Sequence, residues 1–303
     1  MLPIIKGPPW FGGQMGVPGS DTPLGFRMGA ARGNVFYVDS SHPDTNDAND
    51  GTDPNAPLRT ITHAIDHCTA NQEDYILVQN FLNSAETFPI NINKAKVHLF
   101  SIWYALGVGR TITPVGDTAG VLIAADKVEL AGFEIGGGAS HGAIEFPTAT
   151  QSWGAHIHHN RFGWMTGAQD GIRMTGAVDK VQFLIHDNEF NDKITRDGIL
   201  IEQNSTRSEI WNNVFRRVGG VGINLATLCT DIYAIHDNTF NTILDAATGG
   251  SILCNLNSAG CMFYGNKTMH DKAAMAQVPY RDLGANHWGL NYYGILAIMP
   301  ATV

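Results

Sequence analysis

The feature that most constrains this chain is a hexapeptide written five times. IHHNRF (157–162), IHDNEF (185–190), IWNNVF (210–215), IHDNTF (235–240) and FYGNKT (263–268) share a β-branched or aromatic first residue and an asparagine in fourth place. The asparagines stand at 160, 188, 213, 238 and 266, so they are separated by 28, 25, 25 and 28 residues. A second series runs out of phase with the first. HGAIEF, DGIRMT, DGILIE, VGINLA and GGSILC carry glycines at 142, 171, 198, 222 and 250. Two motifs sharing one period of a few tens of residues mark a single structural unit used repeatedly.

Each unit holds short β-type runs joined by turns, with no segment long enough for a helix, which excludes leucine-rich, ankyrin and helical-pair repeats. A coil of short parallel strands remains, with rungs stacked about 4.8 Å apart. In such a coil, equivalent residues of successive rungs stand one above another. Ile157, Ile185, Ile210, Ile235 and Phe263 are then expected to form one inward column, and Phe162, Phe190, Phe215 and Phe240 a second. Asn160, Asn188, Asn213, Asn238 and Asn266 are expected at the bend, where asparagine tolerates left-handed backbone and its amide can bond to the rungs above and below. Such a ladder would satisfy polar groups that an interior turn otherwise leaves unpaired. His158, His186 and His236, with Trp211 and Tyr264 in the same slot, read as an outward stack of flat side chains. A metal site is not expected there, because the Trp211 rung separates two of the histidines by about 10 Å, twice the rung spacing.

Composition agrees with a β-rich chain. Only 16% of the 303 residues are charged, and the 34 glycines are about 11% of the chain, against roughly 25% and ~7% in typical soluble domains. The net charge of −9, without a Lys/Arg cluster, argues against nucleic acid as a partner and disfavours anionic polysaccharides. Cys68, Cys229, Cys254 and Cys261 lack CxxC spacing and read as buried thiols, with a disulfide between two of the last three left open. The apolar stretch Leu2 to Ile5 is broken by Pro3 and too short for a secretion signal, and no run approaches the ~18 residues of a membrane span. Synthesis in a cytoplasm is therefore expected, with no membrane partner.

Three regions follow. Residues 1–33, rich in glycine and proline, read as an extended arm. Residues 34–270 hold the coil, opened by the β-type run NVFYVD and a helix near 58–68, where Leu58, Ile61, Ala64, Ile65 and Cys68 recur at offsets of three and four. Residues 271–303 read as leaving the repeat and end on an uncharged apolar run, expected to cap the far end or to pack on another subunit.

The asparagine-bend repeats, together with the opening FYVD, a DGT-rich turn and the TITHAID helix, resemble the right-handed parallel β-helix proteins of the pectin-lyase-like superfamily. The likeness spans about residues 34 to 270. It implies an all-β fold, a single-stranded right-handed parallel β-helix (solenoid) with a short N-terminal capping helix and extended terminal arms. It does not fix a function, since this scaffold carries lyases, hydrolases, epimerases, adhesins and viral spike or decoration proteins.

Catalytic candidates centre on Asp170 and Asp197, which precede equivalent glycines on adjacent rungs, with Glu145, Arg173 and Glu202 on nearby strands. Paired carboxylates at 5–10 Å serve glycoside hydrolysis. Hydrolases of this superfamily place aspartates on adjacent rungs, and its lyases add calcium and an arginine base. This chain departs from both patterns: it has no Asn-Thr-Asp segment paired with an Asp-Asp segment and no Arg-x-Lys site, and its one His-Gly, His141-Gly142, precedes the aspartates. Asp-Gly is also an ordinary turn element. The acidic loop offers Asp44, Asp47, Asp50 and Asp53 as weak calcium candidates, but it lacks EF-hand spacing and reads better as Asx-turns. No cofactor is expected.

The expected function is therefore non-enzymatic: a structural β-helix of a virion, a phage capsid decoration or spike protein. It would assemble as a homotrimer and attach to capsid or other virion proteins through residues 1–33 and 271–303. A polysaccharide lyase or glycoside hydrolase, or an adhesin binding surface glycans, are the alternatives, and for these an extracellular location would apply.

Overall fold

The computed structural model describes residues 33–102, 110–149, 152–164, 166–176, 180–202, 207–226, 233–241, 250–254, 259–269, 280–293, 296–298 and 301–302. Nearly all of its regular structure is parallel β-strand. Three long sheets, of ten, nine and nine strands, run the length of the molecule, and a two-stranded sheet joins Ser152–Trp153 to Lys180–Val181. We call the ten-stranded sheet A, the sheet containing Asp170–Met174 sheet B, and the sheet containing Arg161–Phe162 sheet C. The chain visits all three in turn and then climbs one rung, so that strands distant in sequence pair. This is a parallel β-helix, as the repeat demands.

Register follows the repeat residue by residue. Ile157 pairs with Ile185, Ile185 with Ile210, Ile210 with Ile235 and Ile235 with Phe263, all fully buried. On sheet C, Phe162, Phe190, Phe215 and Phe240 stack with centroids 4.7, 4.6 and 4.8 Å apart, near the rung spacing. Their rings explain the three middle members of the second glycine series. A Cβ on Gly171, Gly198 or Gly222 would lie about 2.5–2.6 Å from ring carbons of Phe190, Phe215 and Phe240 respectively, so each glycine is required by space.

The asparagine ladder is continuous. In each rung Asn Nδ2 donates to the Oδ1 of the next asparagine, from Asn160 to Asn188, Asn213, Asn238 and Asn266, at 3.0–3.3 Å. Each backbone N–H also donates to that same oxygen. One expectation changes here: left-handed backbone belongs to the preceding residue, at His159, Asp187, Asn212, Asp237 and Gly265, with φ between 51° and 67°. The asparagines are selected for their amides, and the neighbour makes the bend.

The coil also runs beyond residue 270. Tyr280–Asp282, Ala285–Trp288 and Asn291–Tyr293 add a strand to sheets B, A and C, and Asn291 accepts from Asn266 N and Nδ2 as a sixth ladder residue. The segment WGLNYY (288–293) is a degenerate copy of the hexapeptide, aromatic first and asparagine fourth. Leu296–Ile298 then folds back antiparallel on Asn291–Tyr293, and Ala301–Thr302 pairs with Arg281 and Asp282. Residues 1–32 and 270–279 lie outside the described residues, so the N-terminal arm falls there.

One α-helix, Ile61–His67, sits beside the first rungs with Ile61, Ala64 and Ile65 buried in the core. Thr60 caps it by accepting from His63 N. The Glu86 carboxylate accepts from the N–H groups of Ile61 and Thr62, so two further orphan donors of the first turn are satisfied. Cys68, Cys254 and Cys261 are buried, and Cys229 lies outside the described residues.

Candidate functional site

The carboxylates proposed from the sequence for catalysis do come together, but as fasteners between rungs. Asp170 is completely buried on sheet B and receives Arg196 through Nε at 2.8 Å and through Nη2, along with the N–H of Asp197 at 3.1 Å. Asp197 accepts from Val221 N and from Asn224 Nδ2, both at 2.9 Å. Burial raises the Asp197 carboxyl above its ordinary range against the pull of these hydrogen bonds, and nearby Asp170 adds to the rise. Glu145 accepts from Gly142 N at 2.9 Å and lies 3.6 Å from Arg173, whereas Glu202 is exposed at the sheet margin. Each aspartate therefore binds the rung that follows it, an arrangement that holds strands in register.

The acidic loop divides in the same way. Asp50 caps Thr52, Asp53 caps Asn55, and Asp47 accepts from the N–H groups of Arg59 and Thr60 ahead of the helix. Asp44 contributes its backbone carbonyl to Asn49. Four aspartates serving separate turns do not make a calcium cage, which needs six to eight oxygens converging on one point.

Among the described residues, a dense group of ionisable side chains stands on the outer face of sheet A. His156 and His158 are two residues apart on one strand and so share a face. Strand register places Glu129 beside His156 on the rung before, and His186 beside His158 on the rung after. Further back, His98 pairs with Glu129. The result is an unbroken polar chain across successive rungs. Glu73 lies 3.0 Å from His98 Nε2, and His98 Nδ1 is 2.6 Å from Glu129 Oε2. Glu129 Oε1 is 3.0 Å from His158 Nε2 and 3.3 Å from His156 Nδ1. His156 Nε2 is 2.6 Å from His186 Nε2, and His186 Nδ1 is 2.7 Å from Asp187.

Charge follows from these contacts. Burial opposes protonation of His98, but carboxylates at both ring nitrogens outweigh it and raise its pKa. Burial alone would raise the Glu129 carboxyl, yet hydrogen bonds from His156, His158 and His98 hold it well below the usual range. His158, almost fully buried, is pushed down to about 4 by desolvation, which outweighs its bond to Glu129, and it is neutral at physiological pH. Beyond the cluster the column continues as flat stacked rings: His158 on His186, His186 on Trp211, Trp211 on His236 and His236 on Tyr264, at 4.1–6.2 Å.

The stack was legible in the sequence; the cluster was not. A column of histidines separated by a tryptophan rung argued against any metal site, but His158 and His186 occupy adjacent rungs, and His156 joins them from the neighbouring column. Ligand atoms of His156, His158 and His186 all lie within 4.8 Å of one another, and His159, His186 and Asp187 form a second such group. The missed signal was the His-x-His of the first hexapeptide, read together with Glu129 one period earlier.

Residues 44–297 match the family described as a protein of unknown function, DUF1565. The chain belongs to this DUF1565 family. The match covers most of the coil and leaves its function open, and no curated protein matches the chain. Within this DUF1565 chain, no helix among the described residues is long and apolar enough to cross a membrane.

Proposed function

We propose that this chain is a non-enzymatic structural β-helix of pectin-lyase-like type, a rigid module that decorates or projects from a virion. It assembles as a homotrimer and attaches through its terminal segments. The observation that carries the non-enzymatic part is the commitment of Asp170 and Asp197 to the rung that follows each of them. A hydrolytic pair needs one carboxyl free to protonate a leaving group and another free to face water or the sugar. The stacked Asn, Phe and His/Trp/Tyr columns support a rod, since each repeats a contact that stiffens the coil along its axis.

Two measurements test this. Sedimentation equilibrium of the untagged chain should return the mass of three chains, and immunodetection should find it in sedimenting particle fractions of the producing culture. A soluble monomer absent from particles refutes the virion part. Incubation with a panel of acidic and neutral glycans should release no new reducing ends and no unsaturated products. Cleavage that Glu145→Gln abolishes while leaving the thermal transition unchanged refutes the non-enzymatic part.

A further inference from the structure

The contact between His156 and His186 poses a chemical problem of its own. His186 Nδ1 lies 2.7 Å from the Asp187 carboxylate and His156 Nδ1 lies 3.3 Å from that of Glu129, so each ring carries its N–H on Nδ1. A neutral imidazole has only one N–H. With both rings in that form, the two Nε2 atoms face each other at 2.6 Å with no hydrogen between them. Two lone pairs at that separation repel, so an electrophile belongs between them. A histidine that gives its other N–H to a carboxylate is also the arrangement that orients imidazole toward a metal and raises its basicity. Here the arrangement occurs twice, from opposite sides of one gap.

We propose that His156, His158 and His186 bind a single divalent transition-metal ion of the zinc class, with Glu129 and Asp187 as the carboxylate anchors behind its ligands. Imidazole nitrogen suits zinc, copper and nickel better than calcium or magnesium, which take oxygen. His156 and His186 supply Nε2; His158 Nε2 gives its N–H to Glu129 at 3.0 Å, so its third-ligand nitrogen is Nδ1, which turns from its 2.8 Å contact with His159 Nδ1 to the ion. Zinc–nitrogen bonds of ~2.0–2.1 Å at a tetrahedral angle separate two ligand nitrogens by about 3.3 Å, so the gap opens by less than an ångström on binding. His158 is almost fully buried, so its ring is held in place beside the other two. The His156 side chain is 31% exposed, so solvent has a route to the fourth position. Because His156 and His158 stand on one rung and His186 on the next, the ion would clip two turns of the coil together. The rod reading does not require this site, and the site does not depend on that reading.

The test uses the untagged full chain, stripped with chelator and titrated calorimetrically with Zn²⁺. One equivalent per chain is expected, with an upward shift of the thermal transition. His156→Gln and His186→Gln should each weaken uptake at least about 100-fold, and Glu129→Gln about 10–100-fold, as for loss of an outer-shell partner. His236→Gln, in the same ring stack but outside the cluster, should bind like the wild type. X-ray absorption and visible Co²⁺ spectra of the wild-type protein need no variant, and should report an imidazole shell of three nitrogens. Absence of stoichiometric uptake by the wild type overturns the proposal and assigns the gap to a shared proton. Uptake unchanged in His156→Gln and His186→Gln, or a shell without imidazole, overturns it as well.

Discussion

Replacing Asn213 with alanine tests whether the amide ladder carries stability between rungs. Asn213 is completely buried in the middle of the ladder. Its Nδ2 donates to Ile185 O, Trp211 O and Asn238 Oδ1 at 2.9–3.0 Å, and its Oδ1 accepts from Asn188 N and Nδ2 at 3.1 and 3.0 Å. Some partners keep a second contact after truncation: Asn188 Nδ2 still reaches Ile157 O, and Asn238 Oδ1 still accepts from Asn213 N. The Asn188 N–H, by contrast, loses its ladder acceptor. An orphaned buried N–H costs about 1–3 kcal/mol, and the remaining lost bonds about 0.5–1.5 each, partly offset by recovered side-chain freedom. Asn213→Ala should therefore cost about 3–5 kcal/mol. Asn55→Ala, in the exposed helix-leading turn, should stay within about 0.5 kcal/mol. Urea unfolding followed by circular dichroism measures the cost. Hydrogen exchange adds a local readout, since the Asn188 amide should lose protection before distant rungs do, as nearest-neighbour coupling in a solenoid requires. A cost below about 1 kcal/mol with an unchanged urea slope, and a still-protected Asn188 amide, would refute the view that the ladder joins the rungs.

Three further outcomes are expected. Gly198→Ala places a Cβ about 2.6 Å from the Phe215 ring and from Gly222 O, and should cost about 1–3 kcal/mol by urea titration; Phe215→Ala, which empties the stack beside it, should cost about 3–5 kcal/mol. Asp170→Asn deprives Arg196 of its carboxylate partner. Because the Arg196 side chain is 39% exposed and can turn to water, the thermal-melt penalty should be about 1–3 kcal/mol, short of that for a fully buried ion pair. The His158 pKa of about 4 in the folded chain lies below the unfolded value near 6.5, so the unfolded state takes up a proton first as the pH falls. Its contribution is complete above that unfolded value and is lost between about pH 6.5 and 4, on the order of 3 kcal/mol at most. His158→Gln should flatten this part of the stability profile, and an unchanged slope would show that His158 is not buried as a neutral ring.

How much of this was readable in advance depends on which direction in the coil a contact runs. Contacts along the axis repeat at the period of the sequence, so the Ile and Phe columns, the asparagine ladder and the ring stack could be aligned by spacing alone, and the helix by its offsets of three and four. Contacts across the columns have no period. The approach of His156 to His186 combines a two-residue step along a strand with a rung-to-rung step, and either one alone looks unremarkable. The glycine series shows the same limit: Asp-Gly pairs read as turns, yet Gly171, Gly198 and Gly222 are dictated by phenylalanine rings one rung away. The last rung was missed because WGLNYY keeps only the aromatic and the asparagine of its motif, too little to stand out from an aromatic-rich tail.

The same geometry explains how a solenoid can acquire a site without disturbing its fold. Inward positions are fixed by stacking and the ladder asparagines by their amides, so substitution there is felt along the whole coil. Outward positions on sheet A answer only to their immediate neighbours, and in this chain they hold different groups on successive rungs: His98, Glu129, His156 and then Leu184 in one column. A purely structural face has no need to gather three carboxylates and five histidines along successive rungs, where partner contacts raise the pKa of His98 and lower those of Glu129 and Asp187, and burial lowers those of His158 and His159. Desolvating these groups costs free energy that apolar side chains at the same positions would not require. If the cluster were only a spacer, His156→Leu together with His186→Leu should leave the coil as stable as before or more so. If it serves a bound cation, the same double variant should be at least as stable in chelator and less stable than the wild type once Zn²⁺ is added. Thermal melts of both proteins with and without Zn²⁺ separate the two cases.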